Sequence, residues 1–377
     1  MTKENGNSGN ISWDAVPVID LAKATNPESR SEIVQELDQA LRQYGFFYVC
    51  HHGIDEALIQ EQFDIASQLF DLPLAEKQSM PFQGNLDIGY IGTGVQTLDP
   101  NGEVQFTGDT KEQFMMTTNK LITVTKLEDG AGTQTPKQDE LLVDPDNVFE
   151  GSQNYKPKVP RHEQVTSGYA GAAYKLNLLL NSLLFEALGL TDVNDQNRYE
   201  LEHNPFIVLK QMKYASDNPS DPAQGKFGAG AHCDWGSFTI LCTDGKPGLQ
   251  IQMPATAEQE ETWLPVPHKS GCLIINSGDQ IAQLTNDYYR SALHRVVIGG
   301  TKGEDEPFAD ITPKSSTRDN SRFSTAIFTY FGMQARVGPL PQFLNQPDLP
   351  REKYPTPYRT SQEYFHFKLK ESTGKAY

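Results

Sequence analysis

A histidine and an aspartate stand two positions apart in the segment AHCDWGSFTI, residues 231–240. Residues two apart in a β-strand point to the same side, so His232 and Asp234 would present an imidazole and a carboxylate to one point. A second histidine, His294, lies in another strand-like segment, SALHRVVIGG. Two imidazoles and one carboxylate bound to one face of a metal ion leave its other positions open to reactants. We therefore predict that His232, Asp234 and His294 form a catalytic metal site.

The elements that must position these three residues are short strands. From about residue 206 onward, β-rich runs alternate with turn signals such as TDGKPG and NSGD. Several short strands at this spacing predict an antiparallel sandwich or barrel. A lone histidine in a strand is more often a hydrogen-bonded structural residue, so the metal hypothesis needs support from the surrounding sequence.

Helices are predicted mainly before residue 206. An Asn-Pro pair opens an amphipathic stretch that Gly45 closes, with apolar residues at helical spacing between them. A second helix is predicted to end before Pro73, and a third to run from a Ser167 cap to about Gly189. Two strands are predicted in the same half of the chain, at 16–21 and 45–54.

The composition describes a folded, acidic protein. Its 377 residues include 49 Asp and Glu but only 32 Lys and Arg, which gives a formal charge of −17. This charge repels polyanions, so we expect no nucleic acid and no membrane as a partner. No apolar run approaches the roughly 18 residues of a membrane span, and the four cysteines show no CxxC spacing. We expect a soluble, cytoplasmic monomer with a disordered start over residues 1–15.

Several segments together resemble a known enzyme family. The β-rich half contains HCDWGSFTILCTDGKPGLQIQ, then SALHRVV, then RFSTAIF. The preceding half adds VPVIDL, YGFFYVCHHGI and, at residues 109–116, DTKEQFMM. These segments resemble the iron(II)- and 2-oxoglutarate-dependent dioxygenases, in the branch of isopenicillin N synthase and the plant flavonoid and hormone oxygenases. The resemblance covers most of the chain and implies a mainly β fold with flanking helices around a double-stranded β-helix, or jelly-roll, core.

The resemblance implies one functional unit and assigns roles to its parts. Three parts follow the disordered start: a helical and mixed region at 16–205 packed on the core, the catalytic core at 206–340, and a carboxyl-terminal segment at 341–377.

Two segments depart from the family pattern. Residues 117–151 have no clear counterpart, and 301–320 looks like an insertion because His294 and Arg322 are 28 residues apart. We expect both segments to lie where substrate identity is decided.

The resemblance also implies the residues that bind the cofactors. His232, Asp234 and His294 match the family's iron ligands, and Arg322 and Ser324 match the Arg-x-Ser pair that binds the distal carboxylate of 2-oxoglutarate. An arginine fork with a serine hydroxyl on the same strand face suits a carboxylate.

Two further residues match the family less closely. Tyr214 falls where the family has a tyrosine that touches the cosubstrate, although Met212 and Ala215 replace the flanking asparagine and proline of that motif. Asn276, in INSGD, matches an asparagine near the iron, and closing the adjacent turn is its alternative role. Trp235 is expected in the core or at the rim of the metal site.

The reaction that the resemblance implies couples decarboxylation of 2-oxoglutarate to oxidation of a C–H bond of a small molecule, as in secondary metabolism. The cofactors would be iron(II), 2-oxoglutarate and dioxygen, with ascorbate as an optional stimulant. Hydroxylation, desaturation and oxidative ring closure remain open. The Asp234 carboxylate argues against the related halogenases, in which this position is vacated for a halide.

Two alternatives differ in class. One is an oxidase like isopenicillin N synthase that does not use 2-oxoglutarate, or an oxidative cyclase of a carboxylated, amino-acid-derived natural product. The other is a non-catalytic binding protein on the same β-scaffold. Oxygen-dependent succinate release separates the leading hypothesis from the oxidase, and stoichiometric iron binding separates it from the binding protein.

Overall fold

Twelve β-strands and seven α-helices are found in the part of the chain that the structure describes. The computed structural model describes residues 16–83, 88–98, 108–118, 148–149, 154–203, 205–253, 260–299, 320–344, 354 and 356–373. The strands are β1 Val18–Asp20, β2 Phe46–Cys50, β3 Gly89–Ile91, β4 Glu112–Thr117, β5 Phe206–Tyr214, β6 Ala229–His232, β7 Phe238–Thr243, β8 Leu249–Met253, β9 Thr262–Pro265, β10 Cys272–Ser277, β11 His294–Val296 and β12 Arg322–Tyr330. The helices are α1 Pro27–Gln43, α2 Glu56–Phe70, α3 Leu74–Gln78, α4 His162–Ala187, α5 Gln196–Glu202, α6 Asp279–Leu284 and α7 Ser361–Thr373.

The strands form two sheets. A major sheet of eight strands has the order β1-β2-β10-β7-β12-β5-β4-β3, and a minor sheet of four strands has the order β6-β11-β8-β9. Only β1 and β2 pair in parallel among the described strand pairs. Because β1 to β4 belong to the major sheet, residues before 206 supply half of its strands.

The two sheets enclose an interior lined from both sides. Strand β12 shows the alternation that separates its two faces: Ser324 and Ala326 line the interior, whereas Phe323 and Ile327 pack on the helix side. Residues of both sheets form the apolar cluster around this interior: Phe46, Tyr48, Met212 and Ile274 from the major sheet, and Ala229, Leu249, Ile251 and Val296 from the minor sheet.

Helices α1, α2 and α4 cover the outer face of the major sheet and form the largest apolar cluster with it. The predicted limits of α1 are confirmed. The Asn26 side chain accepts a hydrogen bond from the Glu28 amide at 3.0 Å, and Gly45 follows the helix with φ +65°. The short predicted strands at 16–21 and 45–54 are also found, as β1 and β2.

The predicted start of α4 is wrong. The helix begins at His162, so Ser167 lies inside it and caps nothing. Apolar burial in the helix already starts at Val165, so the buried face continues the helical pattern upstream of the serine. The end is as predicted, since Gly189 follows the helix with φ +73°.

Some predictions concern regions outside this description. Residues 1–15, nearly all of 301–320 and most of 117–151 lie outside the described residues. Among the residues that are described, no helix has both the length and the apolar character needed to cross a membrane.

Candidate active site

The three predicted metal ligands converge where β6, β11 and the β6–β7 turn meet. His232 is the last residue of β6 and His294 the first of β11, and the two pair directly across the minor sheet. The Nε2 atoms of His232 and His294 lie 3.8 and 3.7 Å from Oδ1 of Asp234. One atom from each residue lies within 4.8 Å of the other two, so a single ion can bind all three.

The prediction that His232 and Asp234 share one strand face needs correction. Strand β6 ends at His232, and Asp234 lies two residues beyond it in the turn to β7. The turn is held by the start of α6, whose Asp279 amide donates to the Asp234 carbonyl at 2.7 Å. The carboxylate therefore reaches the histidines from a turn fixed by tertiary contacts.

Both histidines are held in the tautomer that a metal requires. Nδ1 of His232 lies 2.7 Å from the Gly230 carbonyl, and Nδ1 of His294 lies 3.0 Å from the Ala292 carbonyl. A carbonyl only accepts, so each Nδ1 carries the proton and each Nε2 presents a lone pair. Burial lowers the pKa of His232, and the neighbouring His294 lowers it further, which keeps the ring neutral.

Asp234 has one oxygen bound to the protein and one facing the histidines. Its Oδ2 accepts hydrogen bonds from the Thr239 hydroxyl at 2.6 Å and the Asn276 amide at 2.7 Å, both on the major sheet. Burial alone would raise the pKa of this carboxyl, but the two imidazoles and the two hydrogen bonds hold it below its ordinary value. The carboxylate is thus ionised, with Oδ1 directed at the metal position.

Two glycines let the backbone close around this turn. A Cβ on Gly236 would lie 2.1 Å from the Thr329 carbonyl oxygen, and one on Gly278 would lie 2.4 Å from the Gly236 carbonyl oxygen. Neither position has room for a side chain. We call residues 233–237, between β6 and β7, the metal turn. Gly236 and Gly278 are therefore required where this turn packs against α6.

The proposed cosubstrate anchors lie on β12 and β5, whose Arg322 and Tyr214 pair in register. Arg322 is 4% exposed, its Nε donates to the Lys246 carbonyl at 3.2 Å, and its guanidinium carbon lies 5.0 Å from the Tyr214 ring centre. Its Nη1 is buried and has no hydrogen-bond partner among the described residues. Ser324 follows two residues later on the same cavity-facing side.

One cavity joins the metal position to these anchors. Its walls include all the predicted site residues, together with Trp235 of the metal turn. The opposite end is largely aromatic, with Phe82, Phe328, Tyr330 and Phe365 in its wall, and Lys210 lies over the Phe328 ring at 4.8 Å. The cavity thus has a charged end and an apolar end with the three metal ligands on its wall.

Comparisons with known proteins identify relatives of this chain. Residues 16–139 match the family model described as the non-haem dioxygenase in morphine synthesis N-terminal domain, and residues 203–329 match the 2OG-Fe(II) oxygenase superfamily. The 2-oxoglutarate-dependent dioxygenase caaD of Aspergillus niger is 30% identical over 302 residues, which cover 78% of this chain and 82% of that protein. The chain belongs to the 2OG-Fe(II) oxygenase superfamily. The predicted enzyme class is thereby confirmed.

The oxygenase resembles further relatives along most of its length. It is 27% identical to the 2-oxoglutarate-dependent dioxygenase tropC of Talaromyces stipitatus over 338 residues, 88% of this chain and 90% of the relative. The fold also matches the structure of a full-length Neurospora crassa protein in complex with alpha-KG and thymine, with a TM-score of 0.71 and 17% identity. The match covers 97% of the oxygenase and 99% of that protein. This likeness confirms the predicted double-stranded β-helix core with flanking helices.

The donor set of the oxygenase fits the cofactors of its family. Two imidazoles and one carboxylate match the preference of iron(II), and the other side of the metal position faces the cavity. The unpartnered Nη1 of Arg322 fits a carboxylate acceptor, because a buried donor without a partner is otherwise unfavourable.

Three contributors to the site were not found by sequence reasoning. Thr239 holds Asp234, Lys111 lines the cavity, and helix α7 places Phe365 in the apolar wall. Phe365 and Leu369, spaced four apart in YFHFKLK, carried a weak helical signal. No sequence pattern marked the roles of Thr239 and Lys111, although Thr239 lies five residues from Asp234 and Lys111 two residues from Asp109.

Helix α7 also braces the metal turn from behind. The Tyr364 hydroxyl donates to Asp279 at 2.7 Å, and the Gln280 amide donates to the Ser361 hydroxyl at 2.7 Å. Asp279 and Gln280 begin α6, whose backbone amides hold the Asp234 turn. The carboxyl-terminal helix is therefore linked through α6 to the carboxylate ligand.

Proposed function

We propose that His232, Asp234 and His294 bind iron(II), and that Arg322 and Ser324 bind the distal carboxylate of 2-oxoglutarate, for oxidation of a C–H bond of a small molecule. The unpartnered, buried Nη1 of Arg322 carries this proposal, because Arg322 lines the same cavity as the three metal ligands. When bound, iron, 2-oxoglutarate and dioxygen supply the oxidising power, with release of succinate and carbon dioxide.

The protein's own residues orient these groups. The Gly230 and Ala292 carbonyls fix the imidazole rings, and the hydrogen bonds from Thr239 and Asn276 leave Asp234 one oxygen for the metal. Asn276 is thus a positioning residue that acts through Asp234. The Tyr214 ring beside Arg322 supports the guanidinium plane and keeps water from its face.

The substrate belongs in the apolar end of the cavity. Aromatic side chains there exclude water from the metal position and offer dispersion contacts to an organic molecule. The Neurospora crassa protein whose fold the oxygenase shares was solved with thymine, which supports a small-molecule substrate here as well.

The test is the affinity for 2-oxoglutarate, read from the visible charge-transfer absorption of the anaerobic iron(II) complex. Arg322→Leu removes charge-assisted hydrogen bonds worth roughly 1.5–3 kcal/mol, so the dissociation constant should rise about 10- to 150-fold. Arg295→Leu is the matched control, since Arg295 neighbours His294 but stacks on Trp263 at 3.9 Å outside the cavity. Equal affinities in the two variants would contradict the assignment and favour the oxidase alternative.

A further inference from the structure

A buried lysine in the cavity wall has bonding capacity that the proposed reaction does not use. Lys111, in the DTKEQFMM segment, is 3% exposed and lines the cavity with the metal ligands. Its ammonium donates to Asp109 Oδ2 at 2.5 Å, and this is its one hydrogen bond among the described residues. An ammonium has three donors, so two remain for a ligand.

The position of Lys111 is fixed by strand β6. Oδ1 of Asp109 accepts a hydrogen bond from the Gly230 amide at 2.9 Å, two residues before the metal ligand His232. Asp109 therefore ties the lysine to the strand that carries the metal site. This link holds the Lys111 ammonium at the cavity wall.

A second buried lysine nearby has more contacts around its ammonium. Lys77, 7% exposed, donates to Glu112 at 2.6 Å and to the Phe70 carbonyl at 2.9 Å, and lies 5.4 Å from the Tyr90 ring centre. It does not line the cavity. Lys111 is buried as deeply, at 3% exposed, but its ammonium makes one hydrogen bond among the described residues, and unlike Lys77 it lines the cavity.

The polar character continues from Lys111 along one side of the cavity. Gln96 lines the cavity and accepts a hydrogen bond at 2.7 Å from Gln113, which does not line it. The rest of the lining is mostly apolar and aromatic: the rings of Tyr330 and Phe365 lie 5.2 Å apart, and Lys210 lies over the Phe328 ring at 4.8 Å. One polar side in an apolar cavity fits an apolar molecule with a single polar group.

We propose that Lys111 selects the substrate: its ammonium donates to a neutral oxygen, a carbonyl or hydroxyl, on an otherwise apolar and largely planar molecule. This inference rests on the proposed function, because it places that oxygen in the cavity beside the metal position.

A neutral oxygen fits better than a carboxylate. Asp109 already balances the charge of Lys111, so a substrate carboxylate beside them would leave a net buried negative charge. A carbonyl or hydroxyl oxygen uses the free donors without adding charge.

The test compares three probes of one shape: 2-naphthol, 2-methylnaphthalene and 2-naphthoate. Their affinities are measured by calorimetry on the full chain loaded with nickel(II), which replaces iron without turnover, and 2-oxoglutarate. We expect the wild type to bind 2-naphthol at least tenfold more tightly than 2-methylnaphthalene. Lys111→Met should abolish this preference, whereas Lys111→Arg, which keeps a cationic donor, should retain part of it.

Two further variants keep the test decisive. Asp109→Asn/Lys111→Met removes both charges, leaves no unpaired buried carboxylate, and should also lose the preference. Lys77→Met removes a matched ion pair outside the cavity and should keep the preference for 2-naphthol.

Equal affinity of the naphthol and the hydrocarbon in the wild type, no binding of either, or tightest binding of 2-naphthoate would overturn the proposal. Failure of the wild type to bind nickel and 2-oxoglutarate would instead overturn the proposed function.

Discussion

Asp234 depends on two neighbours for its direction. Thr239 and Asn276 occupy Oδ2, and this leaves Oδ1 for the metal position. Partners of this kind orient a ligand and fix which of its atoms binds the metal. Their contribution is measurable without knowledge of the substrate.

Thr239→Val, which keeps the side-chain shape but removes the hydroxyl, should weaken iron(II) binding by about 10- to 100-fold. The measurement is an anaerobic iron titration. Thr325→Val is the control: Thr325 is equally buried on β12, and its hydroxyl has no partner among the described residues. Its iron affinity should match the wild type, and an equal loss in both variants would show that Thr239 acts only through packing.

His162 provides a pH-dependent contribution to stability. Burial between Phe114 and Gln211 lowers the pKa of His162 to about 4, although the Gln211 hydrogen bond opposes this. The unfolded chain binds the proton with a pKa near 6.5, so stability is full above that value and falls as the pH drops towards 4. From pH 7.5 to 5 the loss is about 2 kcal/mol.

His162→Gln removes the titrating group while keeping a hydrogen-bonding side chain. The melting temperatures of wild type and variant, measured at pH 7.5 and pH 5, should therefore converge or cross as the pH falls. Parallel shifts of the two proteins would mean that His162 is not held neutral by burial.

At the scale of elements, helix α7 has two roles. Phe365 packs against Phe206 and Tyr330 with ring centres 5.3 and 5.2 Å apart, and it closes the apolar end of the cavity. The same helix braces α6. An element outside the double-stranded β-helix thus completes both the substrate wall and the support of a metal ligand.

Phe365→Ala should lower the free energy of unfolding by about 3–5 kcal/mol and weaken 2-methylnaphthalene binding, because a buried ring is lost from the cavity wall. Thermal melting and calorimetry measure the two effects. Phe367→Ala on the same helix is the control, since Phe367 is 37% exposed and does not line the cavity. If α7 did not form the wall, the probe affinity of Phe365→Ala would remain that of the wild type.

At the scale of the whole molecule, the proposed metal site joins the two sheets. The histidines lie on minor-sheet strands, whereas the groups that hold Asp234 and the Arg322 anchor lie on the major sheet. A ligand that binds only the folded state stabilises it by about 2.7 kcal/mol at a hundred times its dissociation constant.

Nickel(II) at that concentration should raise the melting temperature of this chain by roughly 3 °C, and 2-oxoglutarate should add a further increase. His294→Ala should lose the nickel effect. Arg322→Leu should keep the nickel effect and lose the added increase at the same 2-oxoglutarate concentration. A nickel effect that survives in His294→Ala would place the metal elsewhere.

The sequence predicted those features that depend on local signals. The limits of α1 and the β-rich half followed from spacing and punctuating residues, and the grouping of His232, Asp234 and His294 followed from the resemblance of several segments to the family. The features that it missed depend on distant contacts: Asp234 lies in a turn because α6 holds it, and Lys111 is anchored through Gly230. A hydrophobic repeat with a period of 2 or 3.6 residues contains no information about such contacts.

The link between α7 and α6 has a consequence for the nascent chain. The ribosome completes both histidine strands well before it makes α7, the last helix that the structure describes. Until α7 emerges and docks, Tyr364 cannot support Asp279, and the turn that carries Asp234 lacks its brace. We therefore expect growing chains to take up iron poorly, so that oxidative chemistry does not begin while the polypeptide is still attached to the ribosome.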